Sequence, residues 1–328
     1  MSSPGQEKAF EGAGRLEGRV PRPVRTAVKR GLRTWGTATA GLRAPADFLV
    51  VGTKRGGTTT LYDALVNHPQ VTGLFPRLER IKSPHYLTLE HARGSRWYRS
   101  HFPLRRPGGR PLAGDAAPYA LYHPLAPARA AAESPDALVI AMLRDPVERA
   151  FSHHWDRVKN GVEDLSFEQA IEAEAGRLDG ELARLLADPD TPRPRHEHFS
   201  YLDRGRYAVQ LERWLEHFPA ERVVVIRSED FYAEPAEVFG RVCDALRIER
   251  TIPERFGRHH AHRDRPKVEP RLRTELWPRF EQPTRELAEL LGTRPWWDVD
   301  GPVPLDGLAV LHPPVGAVGD GRRASAQR

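Results

Sequence analysis

The sequence predicts an α/β protein: a mainly parallel sheet flanked by helices, with a P-loop-like nucleotide-binding architecture. Three observations carry that expectation. Apolar runs at Phe48–Val51, Ala137–Leu143 and Arg222–Ile226 read as strands, the first two continuous enough to be buried on both faces. Segments with helical spacing fill the intervals between them. The first run ends in Gly52 and passes directly into a helix through "GTKRGGTTT".

Each element has its own justification. Thr58–Asn67 reads as a helix with Leu61 and Leu65 inward, and His68-Pro69 ends it, because the residue before a proline avoids the helical region. After the second strand and Arg144, Asp145 is placed to cap a helix whose first turn holds Pro146. The third strand follows a helix at Tyr207–Phe218, on which Leu211, Trp214, Leu215 and Phe218 share a face. Pro235–Leu246 reads as another helix, and Arg271–Leu291 as one more, bent near Pro278 and Pro283. Residues 186–200 read as a proline-rich surface segment.

The ends differ from this middle. Residues 1–20 are expected to be disordered. Residues 21–43 predict a short basic helix with Val24, Val28, Leu32 and Trp35 at helical spacing. That stripe is expected to pack on the domain, with peripheral contact to an anionic membrane as the alternative. The chain thus divides into a basic N-terminal segment (1–45), one catalytic-sized domain (46–300) and a loose tail (301–328).

Composition narrows the function classes. Charged residues are 29% and hydrophobic residues 39% of 328, a balance suited to a soluble globular chain. No apolar run approaches the ~18 residues of a membrane span, and the N-terminus shows no secretory h-region. Cys243 is the single cysteine, which excludes an internal disulfide and suits a reducing, cytoplasmic setting. The net charge of +6 favours anionic partners, but no nucleic-acid motif accompanies it.

"GTKRGGTTT" has the chemistry of an anion cradle. A strand, a glycine turn and a helix start present backbone N–H groups, Gly56 and Gly57 allow close approach, Thr58 and Thr59 add hydroxyls, and Lys54 and Arg55 add charge. Gly52 to Gly57 has the spacing of a nucleoside-triphosphate loop, yet Thr58 stands where that loop has its lysine. An ordinary kinase is therefore disfavoured. A second anion site is implied by "LRDPVERAFSHH": Arg144 follows a buried strand, and Ser152 lies about two helical turns on.

The two motifs together, "GTKRGGTTTLYDALVNHP" and then "LRDPVERAFSHH", resemble the sulfotransferases that use 3′-phosphoadenylyl sulfate (PAPS), in particular the branch of the heparan sulfate sulfotransferases and their bacterial relatives. The resemblance spans roughly residues 47–300 and includes "GDAAPYALYHP", "YAVQLERWLEHFPAERVVVIRSEDF" and "LAELLGTRPWW". It implies a donor site of Lys54, Arg55, Gly56, Gly57, Thr58 and Thr59 for the 5′-phosphosulfate, with Arg144 and Ser152 for the 3′-phosphate. It implies in-line sulfuryl transfer to a hydroxyl or amine, most naturally of a carbohydrate, glycolipid or glycosylated metabolite, with no metal.

Two departures from the family pattern leave roles open. The family has lysine where this chain has Arg55, so either Arg55 or Lys54 faces the departing oxygen. Ser83 stands in place of the family's glutamate base, leaving His85, Glu79 and Asp115 as candidates, with Lys82 nearby. His259, His260 and His262 suggest a basic lid more than a metal site. The alternatives are a kinase with an atypical loop and a polyanion- or membrane-binding module.

Overall fold

The computed structural model describes residues 22–105, 109–257, 268–292, 297 and 308–310. Among them, five strands form one sheet in the order β2-β1-β3-β4-β5. They are β1 (Phe48–Gly52), β2 (Gly114–Asp115), β3 (Leu138–Leu143), β4 (Val223–Arg227) and β5 (Leu308–Val310). β1 runs parallel to β2 and β3, and β3 parallel to β4, with Phe48 opposite Leu138 and Val139 opposite Val223. β5 is antiparallel to β4.

The period of two along a strand divides the apolar runs between two cores. Leu49, Val51, Val139, Ala141 and Leu143 face one side, against Leu211, Trp214 and Phe218. Phe48, Val50, Leu138, Ile140 and Met142 face the other, against Leu61, Leu65, Phe239 and Val242. Both faces are thus covered, which is why these strands carry no alternation of polar and apolar residues.

The expected helices form at Thr58–Val66, Pro146–Lys159, Tyr207–Leu215 and Pro235–Ala245. Asp145 caps the second of these, accepting from the N–H groups of Val147 (2.9 Å) and Glu148 (3.1 Å). The expected long helix is two, Pro270–Leu276 and Glu281–Leu291, joined by a 3₁₀ turn at Trp277–Arg279. Pro278 lacks the N–H that a continuous helix needs, whereas Pro283 lies in a first turn where that loss costs nothing.

Three expectations are corrected. Residues 186–200 are not a simple surface segment: Pro194–His198 is a short helix, with His196 and Ser200 buried. Within the expected tail, Leu308–Val310 adds a strand to the sheet edge. The Arg22–Ala38 helix forms, but its stripe packs on the domain only in part: Leu32 is half-buried and Trp35 meets Phe75, whereas Val24, Val28 and Trp35 remain 50%, 46% and 46% exposed. Residues 1–20 and the histidines at 259, 260 and 262 lie outside the described residues.

Candidate functional site

The site forms where the carboxyl ends of β1, β3 and β4 meet. β1 turns into the Thr58–Val66 helix through Thr53–Gly57. A Cβ on Gly56 would lie 2.8 Å from the Met142 carbonyl of β3, and Gly57 has φ +91° with the Tyr232 ring 3.1 Å from any Cβ there. Glycine is required at one position by contact and at the other by conformation. The Ser228 hydroxyl, just after β4, donates to the Gly56 carbonyl (2.8 Å) and fixes the loop from behind. Arg55 also takes a positive φ, 75°.

That turn sends Arg55 toward the helix following β3. Its Nε donates to the Ser152 hydroxyl (3.1 Å) and its Nη1 to Asp156 (3.2 Å). Ser152 accepts this bond, which leaves its own hydrogen free to donate. Arg144 joins the group: one Nη donates to the Arg55 carbonyl (3.3 Å), the other to Glu148 (3.2 Å). Burial works against Asp156, but the Arg157 hydrogen bond and the Arg55 charge hold its carboxyl below the ordinary value. The two anion motifs of the sequence are therefore one site, linked across 97 residues.

The loop and this cluster line a cavity of about 870 Å³. Phe231, Tyr232 and Phe256 line it as well, giving it an aromatic portion. Lys54, Thr58, Thr59, Arg144 and Ser152 all reach it. Gly56 is buried behind the loop and contributes only backbone.

Lys54 lines the same cavity as Arg55 and feels the charge of Asp156. Burial, followed by the charges of Arg204 and Arg157, lowers its pKa to about 7, while Glu197 and Asp156 oppose the shift. Lys82 enters from another segment and donates from Nζ to the Thr59 hydroxyl (2.8 Å). A cation from residue 82 thus stands beside the start of the helix, and burial holds its pKa below the ordinary lysine value.

Of the expected base candidates, only His85 lines this cavity. It has φ +56°, and its backbone N–H donates to the Ser83 hydroxyl (2.9 Å). Its ring is exposed at the rim, and the crowded wall lowers its pKa, with Glu197 acting in the opposite sense. Asp115 is corrected: it is 1% exposed and lies outside the cavity, since β2 carries it into the packed interior near Ser83 and Tyr98. Burial raises its carboxyl to about 7. Glu79 is engaged by Arg33 and also lies away from the cavity.

The sequence did not point to Tyr119, Asp156 or Glu197, which all line the cavity. Asp156 was detectable, one helical turn beyond Ser152. Glu197 was not. Its short helix is held by Arg204, which donates to the Glu197 carbonyl (2.6 Å) while its guanidinium lies 4.8 Å from both the Tyr119 and Tyr122 rings. The Tyr119 hydroxyl meets His196 Nδ1 at 2.7 Å.

His85 also lines a second groove, of about 900 Å³, between the Arg22–Ala38 helix and residues 79–101. Four arginines, Arg30, Arg33, Arg93 and Arg96, face two carboxylates there, Glu79 and Glu90. Glu79 is paired with Arg33, and Glu90 lies 3.6 Å from Arg93. The groove therefore carries excess positive charge, and it shares His85 with the lining of the first cavity.

A doubly covered parallel sheet with two anion sites joined at its strand ends defines a P-loop-like, anion-binding α/β protein. A family model described as "Sulfotransferase domain" matches residues 45–272, and the chain belongs to the sulfotransferase family. It is 30% identical over 207 residues to the human heparan sulfate glucosamine 3-O-sulfotransferase 3B1, covering 63% of this chain and 47% of that protein. It is 30% identical over 201 residues to the human bifunctional heparan sulfate N-deacetylase/N-sulfotransferase 3, covering 60% and 21%. The chain thus spans about half the length, or less, of these relatives. A crystal structure of a sulfotransferase from Alicyclobacillus acidocaldarius shares the fold, with a TM-score of 0.57 and 26% identity over 77% of this chain and 98% of that one.

Proposed function

We propose that the protein transfers the sulfuryl group of PAPS to a hydroxyl or amine of a carbohydrate acceptor. One observation carries this reading: the loop cations and the Arg144–Ser152 pair meet in a single cavity, Arg55 lying 3.1 Å from Ser152. A donor with anionic groups on both its 5′ and 3′ sides needs two such sites, whereas a nucleoside triphosphate presents one continuous chain of phosphates. The ring-lined portion at Phe231, Tyr232 and Phe256 suits a planar base.

On this reading Arg55, Arg144 and Ser152 hold the 3′-phosphate, while Thr58, Thr59 and the helix N–H groups hold the 5′-phosphosulfate. Arg55 is committed to Ser152 and Asp156, so Lys54 and Lys82 are the cations on the sulfuryl side. His85, lowered in pKa and so neutral near pH 7, takes the proton of the acceptor. The acceptor oxygen or nitrogen then attacks sulfur. The bond from sulfur to the bridge oxygen breaks, and its electron pair leaves on adenosine 3′,5′-bisphosphate. Lys54 and Lys82 offset that charge electrostatically.

The groove that shares His85 with the cavity lies where an acceptor could approach, and its excess of arginine suits an anionic glycan. Two relatives named for heparan sulfate support a carbohydrate acceptor. The test is sulfate transfer from PAPS to a panel of glycans, with titration of adenosine 3′,5′-bisphosphate and of magnesium-ATP. Transfer with tight bisphosphate binding is expected. Preference for magnesium-ATP and no transfer would overturn the reading in favour of a kinase.

A further inference from the structure

The Arg22–Ala38 helix is amphipathic, yet it docks by its polar side. A helix lying on a globular domain ordinarily turns its apolar stripe to the core. Here Val24, Ala27, Val28, Gly31, Trp35 and Ala38 recur at i, i+3, i+4, i+7, i+11 and i+14, and all six are exposed. The contacts that hold the helix come mainly from elsewhere on its surface, and of the stripe Trp35 takes part in them. Arg33 pairs with Glu79 and donates to the Phe75 carbonyl (2.9 Å). Gly36 is buried so tightly that a Cβ would lie 3.1 Å from the Ser100 carbonyl. Trp35 packs against Phe75 (5.4 Å) and Arg43 (4.8 Å) and still leaves its ring 46% exposed.

The charge of the helix identifies what covers this face. Its sequence, RPVRTAVKRGLRTWGTA, holds five cations and no acid. A second copy would bring the same five cations into contact with these, within a chain that already carries +6. An anionic bilayer instead attracts the cations and receives the apolar stripe. No helix among the described residues is long and apolar enough to cross a membrane, so the geometry is that of a helix lying in the interface.

We propose that the Arg22–Ala38 helix docks flat on an anionic phospholipid surface, with Val24, Val28 and Trp35 as the inserted face. The helix precedes the matched sulfotransferase domain and also walls the arginine groove, so docking would hold that groove beside the membrane. The proposal stands independently of the reaction assigned to the cavity.

The experiment uses the full chain with vesicles of phosphatidylcholine, alone or mixed with phosphatidylglycerol. Expected is co-sedimentation with the anionic vesicles only, weakening as salt rises, and quenching of Trp35 by brominated lipid that is absent in Trp35→Phe. The double variant Val24→Asp, Val28→Asp should lose at least about tenfold in vesicle affinity while keeping the wild-type circular-dichroism spectrum and melting temperature, which controls for folding. Equal binding by wild type and double variant would overturn the proposal. So would a wild-type dimer that the same variant makes monomeric, since the stripe would then be a self-interface.

Discussion

The two halves of the cavity are built by different means. The half proposed to hold the donor rests on strand ends: Lys54 to Thr59 follow β1, Arg144 follows β3, and Ser152 lies two turns into the next helix. The half proposed to meet the acceptor rests on irregular chain, with His85 at a positive φ, Tyr119 in a turn region and Glu197 on a five-residue helix held by Arg204. Three parallel strands fix the donor groups to one another through backbone hydrogen bonds. The acceptor groups depend on side chains packing correctly. On the proposed reading, a rigid cradle would hold the donor and a wall built from irregular chain would meet the acceptor.

Substitutions can break this contrast, beginning with the largest effect. Gly57→Val combines a forbidden φ with a clash against Tyr232, together costing several kcal/mol, and should reduce bisphosphate affinity by about 100-fold or more. Calorimetric titration checks it; near-normal affinity would mean that the loop is not the cradle. His85→Asn should act on the other half, lowering kcat by about 10²-fold with bisphosphate affinity unchanged, and should remove the acidic limb of the pH–rate profile. A loss confined to KM would make His85 a binding residue only. Arg144→Ala removes charge-assisted hydrogen bonds worth about 1.5–3 kcal/mol, so bisphosphate affinity should fall about 10- to 100-fold while the acceptor KM holds.

The smallest effect concerns Lys54. In the free protein its ammonium loses its proton near pH 7, and a bound polyanion favours the protonated form. Bisphosphate affinity should therefore be full below about pH 7 and decline as pH rises above it, by at most about tenfold per unit. The decline should be absent in Lys54→Met. If it persists there, the proton belongs to Lys82 or another group.

Legibility in the sequence follows the same division. Runs such as ALVIAML are readable because a strand buried on both faces has no polar position to break the run. The Asp145–Pro146 cap is readable because it is satisfied within four residues. β2 and β5 were not readable: with two and three residues, they are strands only because β1 and β4 lie beside them. Asp115 illustrates the limit. Its neighbours in sequence do not reveal that β2 carries it into the interior, away from the substrate side.

The sequence by itself determined the doubly covered parallel sheet, the anion loop with its displaced cations, and the second anion site. Each depends on residues close in the chain, whose sterics, hydrogen bonding and periodicity act locally. Only the tertiary structure decided that Arg55 turns to Ser152 and Asp156, that Lys82 reaches the Thr59 hydroxyl, and that Val24, Val28 and Trp35 stay largely exposed. Those outcomes depend on which distant surfaces meet, and a side chain's direction is set by the partner that satisfies its charge, wherever in the chain that partner lies.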